Sequence, residues 1–444
     1  MTNTVTPISW ARFPAPPPAD STADAARQVL ANALRYCLNV WLPEQNYQPI
    51  STGSIYSDLG GTDEAHIRPP AMEAFALAAG LRTGGYDPTA TGVSVAVAQA
   101  KAYSLIRSLA FAHRAHTVGG WGSSWQSALW AGMAGGAGWL LWDVLSATAR
   151  TLVANMVAAE ADRFLTYTVP YYRRLDGTIV TPGDSKAEEN AWNASVLELA
   201  LAMMPTHPNV HLWQVKSYEL MVSAYSIPAD TTSIRVINGR RLSVWLHGSN
   251  IEPEGVVINH NRVHPDYSTT ITGNTWSALV RTLAGQPAPE VARFNLERVY
   301  RALVDLVWTT GDDYYPPGGL IRAPGGTILV RDASTGEPTA VVYYPQGNDW
   351  GTDRHLHLVT VVAHAHVFGR DNTATITGEV WEALHLQRAL EMQARGSDGR
   401  TYQLPGEDTY LAREPWVAWL AAQTWLTHWL AAQPAGFAWT NTAP

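Results

Sequence analysis

Residues 183–204 read GDSKAEENAWNASVLELALAMM, and the reading of the fold starts from them. Asp184 or Ser185 is placed to cap a helix, and Glu188 or Glu189 falls in its first turn, where the helix dipole favours an anion. Beyond that turn Val196, Leu197, Leu199, Ala200 and Met203 make a nearly unbroken apolar body. A helix that is apolar all round is a buried one. This segment therefore predicts a long internal helix entered from a polar loop.

The pattern repeats in both directions. Helical spacing marks 21–42, 70–81, 92–116, 124–145 and 146–167 before it, and 209–226, 269–284, 290–309, 352–368, 377–394 and 408–432 after it. The first of these follows an Asp20/Ser21 cap and sets Ala25, Val29, Leu30, Leu34, Cys37 and Leu38 on one face. Strand signals are few. Residues 233–237 and 242–245 flank Asn238-Gly239 as one predicted hairpin, and 326–331 and 339–344 flank Ser334-Thr335-Gly336 as another. The expected fold is all-α, an (α/α)6-type toroid (an incomplete barrel) of paired helices with short β-hairpins in its long loops. No flexible linker divides the chain, so the expected organisation is a Pro-rich leader over 1–20 and a single toroid domain over 21–444. Long connections at 43–69, 168–184, 227–268, 310–351 and 395–408 hold most of the polar and aromatic residues, the usual place for function.

Composition narrows the function. Of 444 residues 46% are hydrophobic and 15% charged, enough for a large core. The net charge of -8, from 38 acidic against 30 basic residues, argues against a nucleic-acid binder. Cys37 is the only cysteine and has apolar neighbours, which predicts a buried thiol and excludes both an internal disulfide and a thiolate metal cluster. The apolar run 125–144 contains Gln126, Ser127 and Asp143 and reads as a buried helix, so no membrane partner is expected. The first twenty residues carry no basic-then-apolar export signal. Location is then secreted or periplasmic if a signal has been trimmed, and cytoplasmic otherwise. Trp (19) and Tyr (18) far outnumber Phe (7), a bias that suits amphipathic platforms for sugar rings as well as helix packing.

Three constellations carry possible chemistry. In the opening stretch the acids are explained by capping, but Asn190 and Asn193 are not; three residues apart on one face, they can hold a carboxylate or a hydroxyl. Asn259-His260-Asn261-Arg262-Val263-His264-Pro265-Asp266-Tyr267 packs two His, an Arg, an Asp and a Tyr just before a helix. Tyr343 to His355 sets Asp349 and Trp350 between glycines, with Arg354 following, and Asp312, Asp313, Tyr314 and Tyr315 lie upstream in the same connection. His355, His357, His364 and His366 raise a metal reading, but no His-Glu-x-x-His pattern exists and neither metal nor cofactor is expected. A Gly-x-Ser-x-Gly elbow is missing too, against an α/β-hydrolase.

On the residues 183–193 and 259–267, with the Trp-bearing segment Gly120-Trp121-Gly122-Ser123-Ser124-Trp125-Gln126, the chain resembles heparinase II/III-like and related toroid polysaccharide lyases. The match is of order and residue type over roughly 100–370. The resemblance implies β-elimination on a uronic-acid polymer: an amide, often with a His, neutralises the uronate carboxylate, and a Tyr or His takes the proton from the adjacent carbon. It would make Asn190 (or Asn193) the carboxylate holder, His260 or His264 an assistant or base, Tyr267 the general base and acid, and Arg262 a contact to the polymer's charge. Trp121, Trp125, Trp192, Asp349, Trp350 and Arg354 would bind substrate, a polysaccharide or oligosaccharide. Many of these lyases append a β-sandwich for which 444 residues leave no room. Two other classes compete: a glycoside hydrolase on the same barrel, with a carboxylate pair drawn from Asp184, Glu188, Glu189, Asp312, Asp349 and Asp353, and a glycan-binding toroid without catalysis.

Overall fold

A carboxylate opens the first helix: Oδ1 of Asp20 accepts from the N–H of Ala23 at 2.9 Å, and α1 (Ser21–Tyr36) follows, extended by a π-turn over Cys37–Trp41. The computed structural model describes residues 3–314, 319–407 and 412–444. In chain order come α2 (Glu64–Thr83), α3 (Val95–Ala112), α4 (Ser127–Leu140), α5 (Ala147–Asp162), α6 (Ala187–Met203) and α7 (Val210–Ala224). Then come α8 (Thr272–Ala284), α9 (Leu296–Val304), α10 (His355–Val367), α11 (Gly378–Gln393) and α12 (Arg413–Ala431). Strands are short two-stranded pieces placed in the loops, so the described chain is mostly α. None of its helices is long and apolar enough to cross a membrane.

The even-numbered helices touch one another. Helix α2 packs on α4 and α12, α4 on α6, α6 on α8, α8 on α10 and α12, and α10 on α12. The odd-numbered ones lie against them: α3 on α2, α5 on α4 and α6, α7 on α6, α9 on α10, and α1 and α11 on α12 and α10 respectively. Burial follows this division. Every residue of α4 is buried, as is every residue of α6 except Glu189, which is the all-apolar character read from 183–204. Close approach of α4 needs small residues: a Cβ at Gly135 would lie 2.4 Å from a methyl of Val157 on α5. Cys37 is fully buried, as expected.

Several boundaries differ from expectation. Helix α2 begins before Pro69-Pro70 rather than at 70, because burying Ile67, Met72 and Phe75 outweighs the hydrogen bonds the prolines forfeit. The segment 290–309 splits into a 3-10 turn, Glu290–Arg293, and α9, with Asn295 between them in the left-handed region at φ 57°. Around Asn238-Gly239 the hairpin is shorter than predicted: Val236–Ile237 pairs with Arg240–Arg241, and Leu242–Trp245 is a helical turn, not a strand. The other predicted hairpin forms between Leu329–Arg331 and Pro338–Val342. The beginning of the 408–432 segment and Tyr315 fall outside the described residues.

The Pro-rich N-terminus is packed down. Trp139 donates its indole N–H to the carbonyl of Thr6 at 2.9 Å, the Phe13 ring lies 5.3 Å from Trp429, and Ala15 N–H reaches Gln433 at 3.0 Å.

Candidate active site

Two of the sequence motifs meet at a hairpin. Ile258–Asn259 pairs with Arg262–Val263, Asn259 opposite Arg262, leaving His260 and Asn261 as a two-residue turn at φ 50° and 58°. Two left-handed residues make the tight turn that matches strand twist and usually calls for Asn-Gly. Placing a histidine there costs on the order of 1 kcal/mol, a strain that persists where surroundings impose it. The surroundings do so. Asn259 Oδ1 accepts from His260 N–H (2.8 Å), Asn259 Nδ2 donates to the buried Glu188 (3.1 Å), and Asn261 N–H donates to the carbonyl of Gly183 (3.0 Å). Gly183 itself tolerates no side chain, since a Cβ would come 2.0 Å from Asn261. Burial pushes the Glu188 carboxyl up to about 8.

From this turn a chain of polar groups runs outward. Tyr267 Oη lies 3.1 Å from His260 Nε2, and His260 Nδ1 lies 2.6 Å from Asp349 Oδ2. The other oxygen of Asp349 meets His264 Nε2 at 3.2 Å. Burial alone would raise Asp349, but hydrogen bonds from His264 and His260, with the nearby charge of Arg262, hold it well below the ordinary carboxylate range. An ionised Asp349 fixes His260 as the Nδ1–H tautomer, which leaves Nε2 to accept the phenol proton of Tyr267. Tyr267 is raised above the ordinary phenol range by burial and by the charge of Glu188, against Arg354, so it rests protonated.

Tyr267 and His260 open into a cavity of about 340 Å³. Its walls come from the N-terminal turns of the even-numbered helices or the residues just before them. Glu64 and Arg68 belong to α2, Trp125 and Gln126 precede α4, and Trp192 is on α6. Tyr267 and Thr270 lead into α8, Arg354 and His357 open α10, and Arg413 and Trp416 open α12. Helix N-termini carry partial positive charge, so their convergence favours an anion. Cations add to it. The guanidiniums of Arg68 and Arg413 lie 4.3 and 5.0 Å from the Trp416 ring, and that of Arg354 lies 3.7 Å from the Trp350 ring. His357 is driven well below the ordinary histidine range by burial and by the charges of Arg354, Arg413 and Arg68, and so stays neutral. Trp125, 48% exposed, leans on Trp192 at 5.6 Å and offers an open aromatic face.

Of the residues expected from sequence, His260, Tyr267, Trp125, Trp192, Trp350 and Arg354 line this cavity, while His264 and Asp349 stand directly behind it. Four do not reach it. Asn190 is buried with both amide hydrogens committed, to Pro170 O and Ser223 Oγ at 3.0 Å each, so it has no donor left for a carboxylate. Asn193 is buried outside the lining. Trp121 is 1% exposed, its N–H spent on Leu109 O. Arg262 braces the hairpin through His260 O (3.2 Å) and Gly347 O (3.4 Å). Of the acids weighed for a hydrolase, Asp349 stands behind the cavity on His260 and His264, whereas Asp184 pairs with Lys186 and Glu189 accepts from Tyr167; the cavity's own carboxyls are Glu64 and Asp266. Sequence reading missed Arg68, Arg413 and Trp416. The one available signal was an arginine in the apolar run Ile67-Arg68-Pro69-Pro70-Ala71-Met72.

His260, His264 and Asp349 also offer three ligand atoms within 4.8 Å of one another, a donor set that fits a divalent ion. The same three groups are already joined by the hydrogen bonds above. No family model, curated protein or solved structure matches the chain.

Proposed function

We propose that the chain is a polysaccharide lyase that cleaves a uronic-acid-containing polymer by β-elimination. The observation that carries the proposal is the Tyr267–His260–Asp349 chain opening into a cavity of arginines, tryptophans and helix N-termini. We further read the even-numbered helices as the inner ring of an (α/α)6 toroid with the odd-numbered ones outside. The support is the succession of packing partners from α2 through α12 and back to α2.

Elimination needs three things from the protein. The uronate carboxylate must be neutralised so that the proton on the adjacent carbon becomes removable. Arg354 and Arg413, at helix N-termini, suit that role in place of the committed Asn190. A base must take the proton, yet Tyr267 rests as a phenol. His260 resolves this: as the phenol oxygen receives the carbon-bound proton, its own proton passes to Nε2, and Asp349 stabilises the imidazolium that forms. The electron pair from the broken C–H bond becomes the new C=C bond, and the bond to the glycosidic oxygen breaks. Tyr267 then returns a proton to that oxygen, and His260 gives its proton back to Tyr267. Trp125 and Trp350 fit the apolar faces of the sugar rings.

The test is absorbance near the ultraviolet edge on a panel of uronate polymers, because only elimination creates the unsaturated sugar. New reducing ends without that chromophore would replace this reading with hydrolysis; tight binding with neither product would replace it with a glycan-binding module.

A further inference from the structure

A second groove lies away from this cavity, along the 3-10 turn Glu290–Arg293 and the start of α9, near the C-terminal end of α10, whose opposite end lines the candidate active site. Its volume is about 580 Å³, and five guanidiniums face it: Arg235, Arg293, Arg298, Arg301 and Arg370. Four carboxylates share the lining, but they do not neutralise these cations evenly. Asp305 is drawn chiefly to Arg331 outside the groove at 2.7 Å and pairs more loosely with Arg301 at 3.7 Å. Glu254 accepts from Tyr314 and Glu297 from Thr373.

Glu290 is left to serve several cations at once. It chelates Arg293 through both oxygens, receives Arg370 at 3.2 Å, and is held below the ordinary range by Arg293, Arg370 and Arg235 against its burial. Arg235 and Arg298 have no carboxylate within ion-pair distance among the described residues; Arg298 donates only to the carbonyl of Pro253 at 2.7 Å, and Arg235 rests 5.8 Å from the Phe294 ring. Arg370 Nε is buried without a hydrogen-bond partner. Five guanidiniums thus share four carboxylates, with donors to spare. Burial, and then the charge of Arg293, lowers the affinity of Arg370 for its proton, the direction this crowding dictates.

We propose that this groove is a second anion site that takes a tetrahedral oxyanion, a sulfate or phosphate group, on Arg235, Arg298 and Arg370. Guanidinium forks match such oxygens in pairs, and the groove is too polar, with no exposed aromatic face, to serve as a second sugar platform. The assignment is independent of the lyase reading.

Calorimetric titration of the full chain with inorganic sulfate, with chloride adjusted to hold ionic strength constant, tests it. One saturable site is expected here, and Arg235→Gln/Arg370→Gln should weaken it by about tenfold or more, the usual loss when charged donors are removed. Arg298→Gln, a change at an exposed position, should weaken it as well and guards against a misfolded double variant. The active cavity is cationic too, so Arg354→Gln is the control and should leave this site intact. If sulfate binding survives the groove variants and vanishes with Arg354→Gln, or never saturates, the proposal is wrong. A glucose sulfate monoester separates the sources: tighter binding than inorganic sulfate marks an ester-borne group and weaker binding the free ion, and either result keeps the oxyanion site.

Discussion

The phenol oxygen of Tyr267 and Nε2 of His260 stand 3.1 Å apart, with the imidazole fixed from behind by Asp349. In the proposed elimination this phenol is the group that meets the substrate proton. Tyr267→Phe should lower kcat by about 10²–10⁴-fold, the usual yield of general acid–base catalysis, with little change in KM or Tm. Retained elimination would take Tyr267 out of the mechanism.

Asp349→Asn attacks the same chain from its other end. The amide no longer holds the Nδ1–H tautomer, so kcat should fall by about 10³-fold or more. Stability supplies a second readout. The folded Asp349 is held below its ordinary value of 3.8, so its contribution is fully present above that value and is lost as pH falls below it. Thermal melts should show wild type more stable than the variant near neutrality, with the gap closing on acidification. A gap independent of pH would mean that the carboxylate is not engaged as described.

Glu188 gives a shift of the opposite sign. Burial raises its carboxyl from 4.5 to about 8, so folding favours the protonated form, and stability drains away as pH climbs between those values. Glu188→Gln keeps an acceptor for Asn259 but cannot ionise. Compared with wild type it should be about equal in Tm near pH 4.5 and gain steadily towards pH 9, by on the order of a few kcal/mol. A difference that stays flat across this range counts against a buried, titrating Glu188.

Arg354 is expected to bind rather than to transfer protons. Arg354→Lys should lower kcat/KM by about tenfold or more, with kcat falling as well as KM rising, since an ammonium forfeits both the planar fork that neutralises the carboxylate and the stacking on Trp350. Steady-state rates over a range of salt concentrations separate this from general charge screening.

The donor set of His260, His264 and Asp349 permits a direct check on what holds them together. Prolonged dialysis against a chelator should leave elimination unchanged if hydrogen bonds suffice. Lost activity that zinc or manganese restores would reassign the trio to metal ligation.

Periodicity made the helices readable because burial of one face or of the whole element is a local pattern, and α6 and α4 show it undiluted. Boundaries were less legible where tertiary burial overrides local rules, as at Pro69-Pro70, or where one left-handed residue breaks a helix, as at Asn295. The motif 259–267 announced its chemistry but not its shape, for His-Asn is a poor turn sequence held by contacts that include the sequence-distant Glu188 and Gly183. Asn190 misled because its hydrogen-bond partners, Pro170 and Ser223, are distant in sequence. Arg413 and Trp416 were invisible for the same reason: nothing local ties them to Arg68.

The distance along the chain between Arg68 and Trp416 also has a bearing on time. Because synthesis proceeds from the N-terminus, Tyr267 and His260 leave the ribosome well before α12 can dock on α2. A nascent or truncated chain ending before Trp416 has its proton-transfer groups but no complete wall around them. On the proposed reading, a complete cavity is therefore a late event, since it waits for α12 to dock on α2.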